Sequence, residues 1–281
     1  MERLLALVLV LRGAVALDCS TPPLSAYPYC DRALPIRARV ADLAARFTVN
    51  ETISQMGTMA AAVPRLGLPA LNYGGEALHG VWSTCAAGRC PTQFPAPHAM
   101  GASFDRDLWR AVGAASGLEA RALFRWNQRH NASDCARSLE GCLGLTFYAP
   151  NDAVARHKRY ATEAEAAAAA IAAGVDSNCG KVLTSALPEA LAAGLVRPDA
   201  LRPPLERLLE ARLRLGLLDD WDADAPVPRP DVDAVDSPGA RALALRAARE
   251  GLVLLQNPNQ ILPLDGRGTL AVIGPNANAS S

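Results

Sequence analysis

The sequence has no surplus of charge of either sign. Lysine plus arginine and aspartate plus glutamate number 28 each, so the formal net charge is zero. That removes the electrostatic case for a nucleic-acid binder, which needs a basic excess or patch. Lysine is nearly absent, with Lys158 and Lys181 the two in the chain. Aromatic residues are scarce at 5% and clustered. Beyond the N-terminus no apolar run reaches the 18 or so residues that a membrane span needs. No C-x-x-C or H-x-x-x-H spacing is present, which excludes the common zinc frameworks. The glycine pair around Arg267 precedes a strand-like run where a dinucleotide-binding loop would have to follow one. No cofactor and no metal site is therefore expected. Half of the residues are hydrophobic, so a sizeable core is possible and wholesale disorder is not.

The N-terminus has the three parts of an export signal. Arg3 supplies the positive start, Leu4 to Leu11 the short apolar stretch, and Ala14-Val15-Ala16 the small-residue cleavage pattern. A secreted, extracellular protein follows, with 1–16 as signal peptide. Seven cysteines suit an oxidising compartment. Cys19 with Cys30, Cys85 with Cys90, and Cys135 with Cys142 form three local pairs and leave Cys179 over. N-x-S/T sequons stand at Asn50, Asn131 and Asn278.

Periodicity predicts two short helices between 37 and 60, then a short strand at Ala70–Tyr73 broken by Gly74-Gly75. Asp105 is an N-cap for a helix to about Phe124, with a stripe of Leu108, Val112, Ala115, Leu118 and Leu123. Leu145 to Ala149 reads as a strand ending at Pro150-Asn151. Thr162 caps an alanine-rich helix closed by Gly174, and Val175-Asp176 reads as a strand end. Helices follow at about 184–193 and 199–215. Residues 219–238 are rich in aspartate and proline and read as a linker. Asp236-Ser237-Pro238 opens a helix to about Leu255, and Thr269–Ile273 reads as a strand. Strands alternating with helices point to an α/β domain with parallel pairing. Catalytic candidates then lie at strand C-termini. They are Glu76 with nearby His79, Asn151 with Asp152, and Asp176. A turn or capping role competes for Asp176, and a packed, hydrogen-bonded role for His79.

Several blocks, taken together and in order, resemble a known family. They are Ile53-Ser54-Gln55-Met56-Gly57, Val63-Pro64-Arg65-Leu66-Gly67-Leu68-Pro69-Ala70 and Glu76-Ala77-Leu78-His79-Gly80. Phe94-Pro95, Ala102-Ser103-Phe104-Asp105, Glu119-Ala120-Arg121-Ala122 and Gly144-Leu145-Thr146-Phe147-Tyr148-Ala149-Pro150-Asn151 continue the series. Ala173-Gly174-Val175-Asp176, Cys179-Gly180, Gly251–Asn257 and Ala271–Ala277 complete it. The set resembles glycoside hydrolase family 3, and most of all its plant and fungal β-xylosidase branch. The resemblance implies an exo-acting retaining β-D-xylosidase that uses two carboxylates and takes xylo-oligosaccharides or related β-glycosides. It implies a (β/α)8 barrel over 17–218 and, after the linker, the start of an α/β sandwich domain at 239–281. Glu76 would accept hydrogen bonds from sugar hydroxyls and crowd out a hydroxymethyl group, favouring pentoses.

The departures from the family are equally informative. Its sugar-binding arginine segment, Lys-His pair and nucleophile segment have no counterpart. Asn151 is followed at once by Asp152-Ala153-Val154-Ala155, which resembles the residues just beyond the nucleophile, with Pro150 at the nucleophile's own position. Several βα units are expected to be missing after about 151, leaving an incomplete barrel and no catalytic pair. Asp152 is the one acid near enough to substitute. Cys179 would have lost its partner with the missing segment. Gly74-Gly75 replace an aromatic pair that stacks on sugar. A secreted remnant that binds carbohydrate or protein without catalysis is the second expectation.

Overall fold

The computed structural model describes residues 17–83, 85–130, 145–147, 160–219, 229–269 and 271–274. Its elements in chain order are α1 (Ile36–Ala45), α2 (Val49–Ser54), β1 (Met59–Ala60), β2 (Leu71–Asn72), α3 (Pro97–Gly101), α4 (Arg106–His130), α5 (Glu163–Ala172), α6 (Val182–Ala192), α7 (Arg202–Arg214) and α8 (Pro238–Glu250).

Local chemistry accounts for most of the helix starts. Thr48 and Glu51 make a reciprocal capping box at α2. Asp105 accepts from the backbone N–H of Asp107 and Leu108 and so opens α4. Leu108's N–H, first among its partners, holds the Asp105 carboxyl below its ordinary range. Thr162 caps α5, and Ser237 with Pro238 opens α8.

The helices bury three groups of side chains. Leu43 and Val40 of α1 pack with Leu205, Leu209 and Leu213 of α7 and with Tyr29, Leu66 and Leu68. A larger cluster joins Ile53, Met56, Leu71, Tyr73 and Leu123 to the apolar faces of α5 and α6, including Ala164, Ala167, Leu183 and Leu187. Phe94, Leu108, Val112 and Ala247 form the third, between α4 and α8. Two buried arginines tie these layers. Arg39 donates to both carboxylate oxygens of Asp219, at 3.0 and 2.6 Å, and to the Tyr29 carbonyl. Arg212 donates to Gln55 Oε1 and the Pro69 carbonyl. Burial pushes the Arg212 pKa down.

The strands depart from expectation. β1 and β2 pair antiparallel, in the register Met59 to Asn72 and Ala60 to Leu71. Parallel pairing among the described residues occurs at one place, between Gly57 and Asn178. The predicted strand end at Val175-Asp176 thus reduces to a single bridge three residues on. Residues 145–147 are not a strand, and Leu145 has a φ of +55°. Tyr148 and Ala149 lie outside the described residues, as do Pro150, Asn151 and Asp152. The described part of Thr269–Ile273 is exposed and forms no ladder with any other described residue. α4 runs to His130, not Phe124, since arginine and glutamine suit a helix and no breaker intervenes. α8 stops at Glu250, not Leu255, with Gly251 as its cap.

The buried stripe of α4 also differs. Leu118 is 41% exposed, while Ser116, Glu119 and Asn127 are buried. Leu108, Val112, Ser116, Glu119 and Leu123 keep helical spacing, so polar residues occupy positions that hydrophobicity alone would not assign. Of the stretch read as a linker, Asp219 and 229–238 are described; Asp219 is held by Arg39, and 229–238 packs on α4. Val235 is fully buried, and Arg125 donates to the carbonyls of Arg229 and Pro230.

Candidate functional site

A cleft of about 620 Å³ opens where the chain at 54–61, 74–82 and 179–184 comes together. Ser54, Gly57, Thr58 and Met59 line it from one side, and Cys179, Gly180, Lys181 and Thr184 from another. The loop Gly74-Gly75-Glu76 and Trp82 complete it. The Gly57–Asn178 bridge brings the first two walls together. The Asn178 N–H donates to the Met56 carbonyl at 3.2 Å, the Thr58 hydroxyl to the Asn178 carbonyl at 3.3 Å, and the Gly180 N–H to the Thr58 hydroxyl at 2.9 Å.

The third wall is held from beneath. The Trp82 N–H donates to the Glu76 carbonyl at 2.8 Å, closing the loop 76–82 on itself. At Gly80, φ is +122° and a Cβ would lie 2.3 Å from the Thr92 carbonyl. Only glycine allows that approach. The Phe94 N–H bonds the His79 carbonyl at 2.7 Å, fixing the same loop a second time. Thr92 is in turn gripped by buried Glu119, which accepts from its N–H at 2.8 Å and its hydroxyl at 2.6 Å. Glu119 also accepts from the Asp236 N–H at 3.0 Å. The loop carrying Glu76 and Trp82 therefore stands on a buried carboxylate in α4. At Gly75 a Cβ would meet the Thr146 carbonyl at 2.5 Å, and the Thr146 hydroxyl donates to the Tyr73 carbonyl at 2.7 Å. The segment 145–147 thus lies against the Gly74-Gly75 turn.

Several polar groups at the cleft are already occupied. The Thr58 hydroxyl is engaged as above, the Thr184 hydroxyl donates to the Lys181 carbonyl, and the Ser54 hydroxyl donates to the Glu51 carbonyl. No hydrogen bond or ion pair among the described residues engages the Glu76 carboxylate or the Lys181 ammonium. Cys179 is an exposed free thiol beside them. Among the described residues no group of His, Cys, Asp and Glu could hold a metal ion.

The other residues singled out from sequence fall elsewhere. Asp176 accepts from Arg207 Nε at 2.8 Å and ion-pairs with the same guanidinium at 2.7 Å, so it serves α7. That contact raises the Arg207 pKa. His79 is neither at the cleft nor packed; it is exposed, because the loop's anchoring contacts run through its backbone. Asp152, Asn131, Asn278, Cys135 and Cys142 lie outside the described residues. Asn50 is exposed in the first turn of α2. Cys19–Cys30 and Cys85–Cys90 are disulfides, and Cys179 is free. Sequence reasoning missed Trp82 and Lys181 as cleft residues. Trp82 sits in the loop of Glu76, and Lys181 follows Cys179-Gly180; proximity in sequence to those motifs was the signal available.

By sequence the chain is similar to a probable exo-1,4-β-xylosidase of Neosartorya fischeri, 28% identical over 397 positions, which covers 94% of this chain and 51% of the relative. It is also similar to a probable exo-1,4-β-xylosidase of Aspergillus fumigatus, 27% identical over 412 positions, covering 98% and 53%. An exo-1,4-β-xylosidase of Emericella nidulans is 27% identical, with 93% and 52% covered. The chain spans about half the length of these curated relatives. No family model matches it. By structure it is similar to a family 3 exo-β-xylosidase bound to a xylobiose aziridine probe, with a TM-score of 0.65 and 21% identity over 90% of this chain and 50% of that one. A β-glucosidase from Erythrobacter marinus gives 0.54 at 19% identity, covering 85% and 53%. At these identities the structural likeness speaks for the fold.

The chain is accordingly a homologue of glycosidases, with a helix-rich α/β fold like theirs. More narrowly, its relatives are fungal exo-1,4-β-xylosidases and its structural neighbour is a family 3 xylosidase, in agreement with the motifs. The alignments run over 397 and 412 positions, although the chain has 281 residues. More than a hundred positions in each alignment therefore have no residue from this chain.

Proposed function

We propose that the protein is a secreted derivative of an exo-acting, retaining β-D-xylosidase, and that it keeps a sugar-binding cleft but does not hydrolyse glycosides as written. The observation that carries this reading is the parallel Gly57–Asn178 pairing. It sets the block resembling the family's N-terminal part beside the one resembling the end of its barrel, at the cleft that also carries Glu76. The long alignment gaps support an internal loss, and the junction at about 151 is where the motifs break. Residues 17–218 would be the shortened barrel domain, and the chain from 219 on, whose stretch 229–238 and α8 pack back on α4, the passage into the next domain. The leader at 1–16 and the two disulfides support export.

Retaining hydrolysis needs a nucleophile to form the glycosyl-enzyme and an acid to protonate the leaving oxygen. Together such groups supply much of the roughly 8–23 kcal/mol by which enzymes lower barriers. Glu76 can bind hydroxyls, but no second carboxylate lines the cleft among the described residues. Binding without turnover, in the manner of a carbohydrate-binding module, is the outcome these residues support.

The test is to offer the full chain a chromogenic aryl β-xyloside and, separately, xylobiose in a calorimeter. Saturable xylobiose binding without release of the chromophore is expected. Turnover that disappears in Asp152→Asn would overturn the inactive reading and make Asp152 a recruited nucleophile. No binding would overturn the sugar-site reading.

A further inference from the structure

We infer that Trp82 is the stacking platform of this cleft, taking the place of the aromatic residues that Gly74 and Gly75 do not supply. The inference rests on the sugar-site reading above and adds the residue that would recognise the ring.

Trp82 is 64% exposed, an unusual position for the largest side chain in a chain so poor in aromatics. It is also the one aromatic among the described residues lining the cleft. Its exposure is not looseness. The bond from its N–H to the Glu76 carbonyl fixes its backbone against that of Glu76, and the loop between them is clamped at Gly80 and His79. An indole and a free carboxylate are thus carried into one cleft by a single braced loop.

That pairing suits a particular ligand chemistry. A pyranose has an apolar face of C–H groups and an equatorial rim of hydroxyls. An indole offers a flat apolar surface to the face, and its amphipathic ring tolerates a wet edge. The Glu76 carboxylate accepts from the rim, and charge-assisted hydrogen bonds of that kind are the stronger ones. Lys181, also without a partner among the described residues, can donate to a hydroxyl or ring oxygen. Gly75 cannot take on the stacking task, because any side chain there would strike the Thr146 carbonyl. The ligand class is a neutral pyranoside.

Calorimetric titration of the full chain with xylobiose tests this, using Trp82→Ala, Trp82→Phe and Glu76→Gln. Trp82→Ala should weaken binding by about tenfold or more, whereas Trp82→Phe, which keeps a ring, should stay within about threefold of the parent. Unchanged circular dichroism would show that each variant folds, as an exposed position allows. Full affinity in Trp82→Ala with loss in Glu76→Gln would overturn the role of Trp82 and leave the sugar site standing. Absence of binding in the parent would overturn both.

Discussion

Leu123 and Leu255 are the same side chain in opposite circumstances. Leu123 is fully buried in α4, within the cluster that joins β2, α5 and α6. Leu255 is 87% exposed, and Leu252, Val253, Leu254, Ile261, Leu262, Leu264, Val272 and Ile273 around it are exposed as well. Burying one such side chain is worth about 1.5–3 kcal/mol. The described body up to 250 gains that many times over, and the described part of the arm, 251–269 and 271–274, gains almost none of it. The arm is not anchored by charge either, since 252–264 contains no ionisable side chain. What the difference teaches is that hydrophobic pattern sets a segment's need for a partner, whereas the fold decides whether one is met. An unpaired apolar arm on a chain of zero net charge also favours self-association.

The comparison is sharpest under truncation. Leu123→Ala should lower the unfolding free energy by about 3–5 kcal/mol, because the lost transfer energy is joined by a cavity. Urea unfolding followed by circular dichroism measures it. A cost below about 1 kcal/mol would mean that the α4 core is looser than its burial implies. Glu119→Ala comes next. It leaves the Thr92 and Asp236 N–H groups and the Thr92 hydroxyl without their acceptor, at about 3 kcal/mol in total. It should also weaken xylobiose binding, since Thr92 braces the loop of Glu76 and Trp82. Stability lost without loss of affinity would show that the brace is not needed for the site.

The helices were legible because local chemistry writes them: Asp105, Thr162 and Ser237 all cap where the sequence places them, and the Thr48–Glu51 capping box is a further local signal of the same kind. Strand pairing was not, because it depends on partners far along the chain. Gly57 and Asn178 meet across 120 intervening positions, and no local signal announces that. Thr269–Ile273 shows the converse, a good strand-like run whose described residues pair with none of the other described residues. At the site, Glu76 was legible through its motif and the glycines before it. Trp82 was not, because its place in the cleft is decided by the Gly80–Thr92 contact and by the hold of Glu119 on Thr92, and although Gly80 and Glu119 each stand in a motif, nothing in the sequence pairs either with Thr92.

A smaller effect tests the body's surface. Glu51 accepts from Arg65 Nε at 2.7 Å and from the Thr48 N–H at 2.8 Å, and the Arg65 contact above all pulls its pKa from 4.5 to about 2. A depressed carboxylate stabilises the fold fully above its unfolded value. That contribution is lost as pH falls from about 4.5 to about 2. Solvent reaches both partners, so the contribution is discounted to about 1 kcal/mol. Glu51→Gln should therefore be less stable than the parent by about that amount at pH 7 and indistinguishable from it near pH 2. A gap that persisted at pH 2 would assign the loss to the capping box and not to charge.

The smallest effect on stability belongs to the arm. Leu255 and Ile273 are 87% and 91% exposed, so folding removes little of their surface from water. Replacing both with serine should shift the unfolding free energy by less than about 0.5 kcal/mol, in contrast to the single Leu123 change. The same substitutions should raise solubility, because they break the two apolar runs most able to pair with another chain. Unfolding curves and sedimentation at increasing concentration measure the two quantities on one sample. If the serine variant lost several kcal/mol, the arm would have to be packed on the body in solution, and the contrast between the two regions would fall with it. If stability held and sedimentation of the parent alone rose with concentration, the arm would be identified as the surface through which copies of this chain associate.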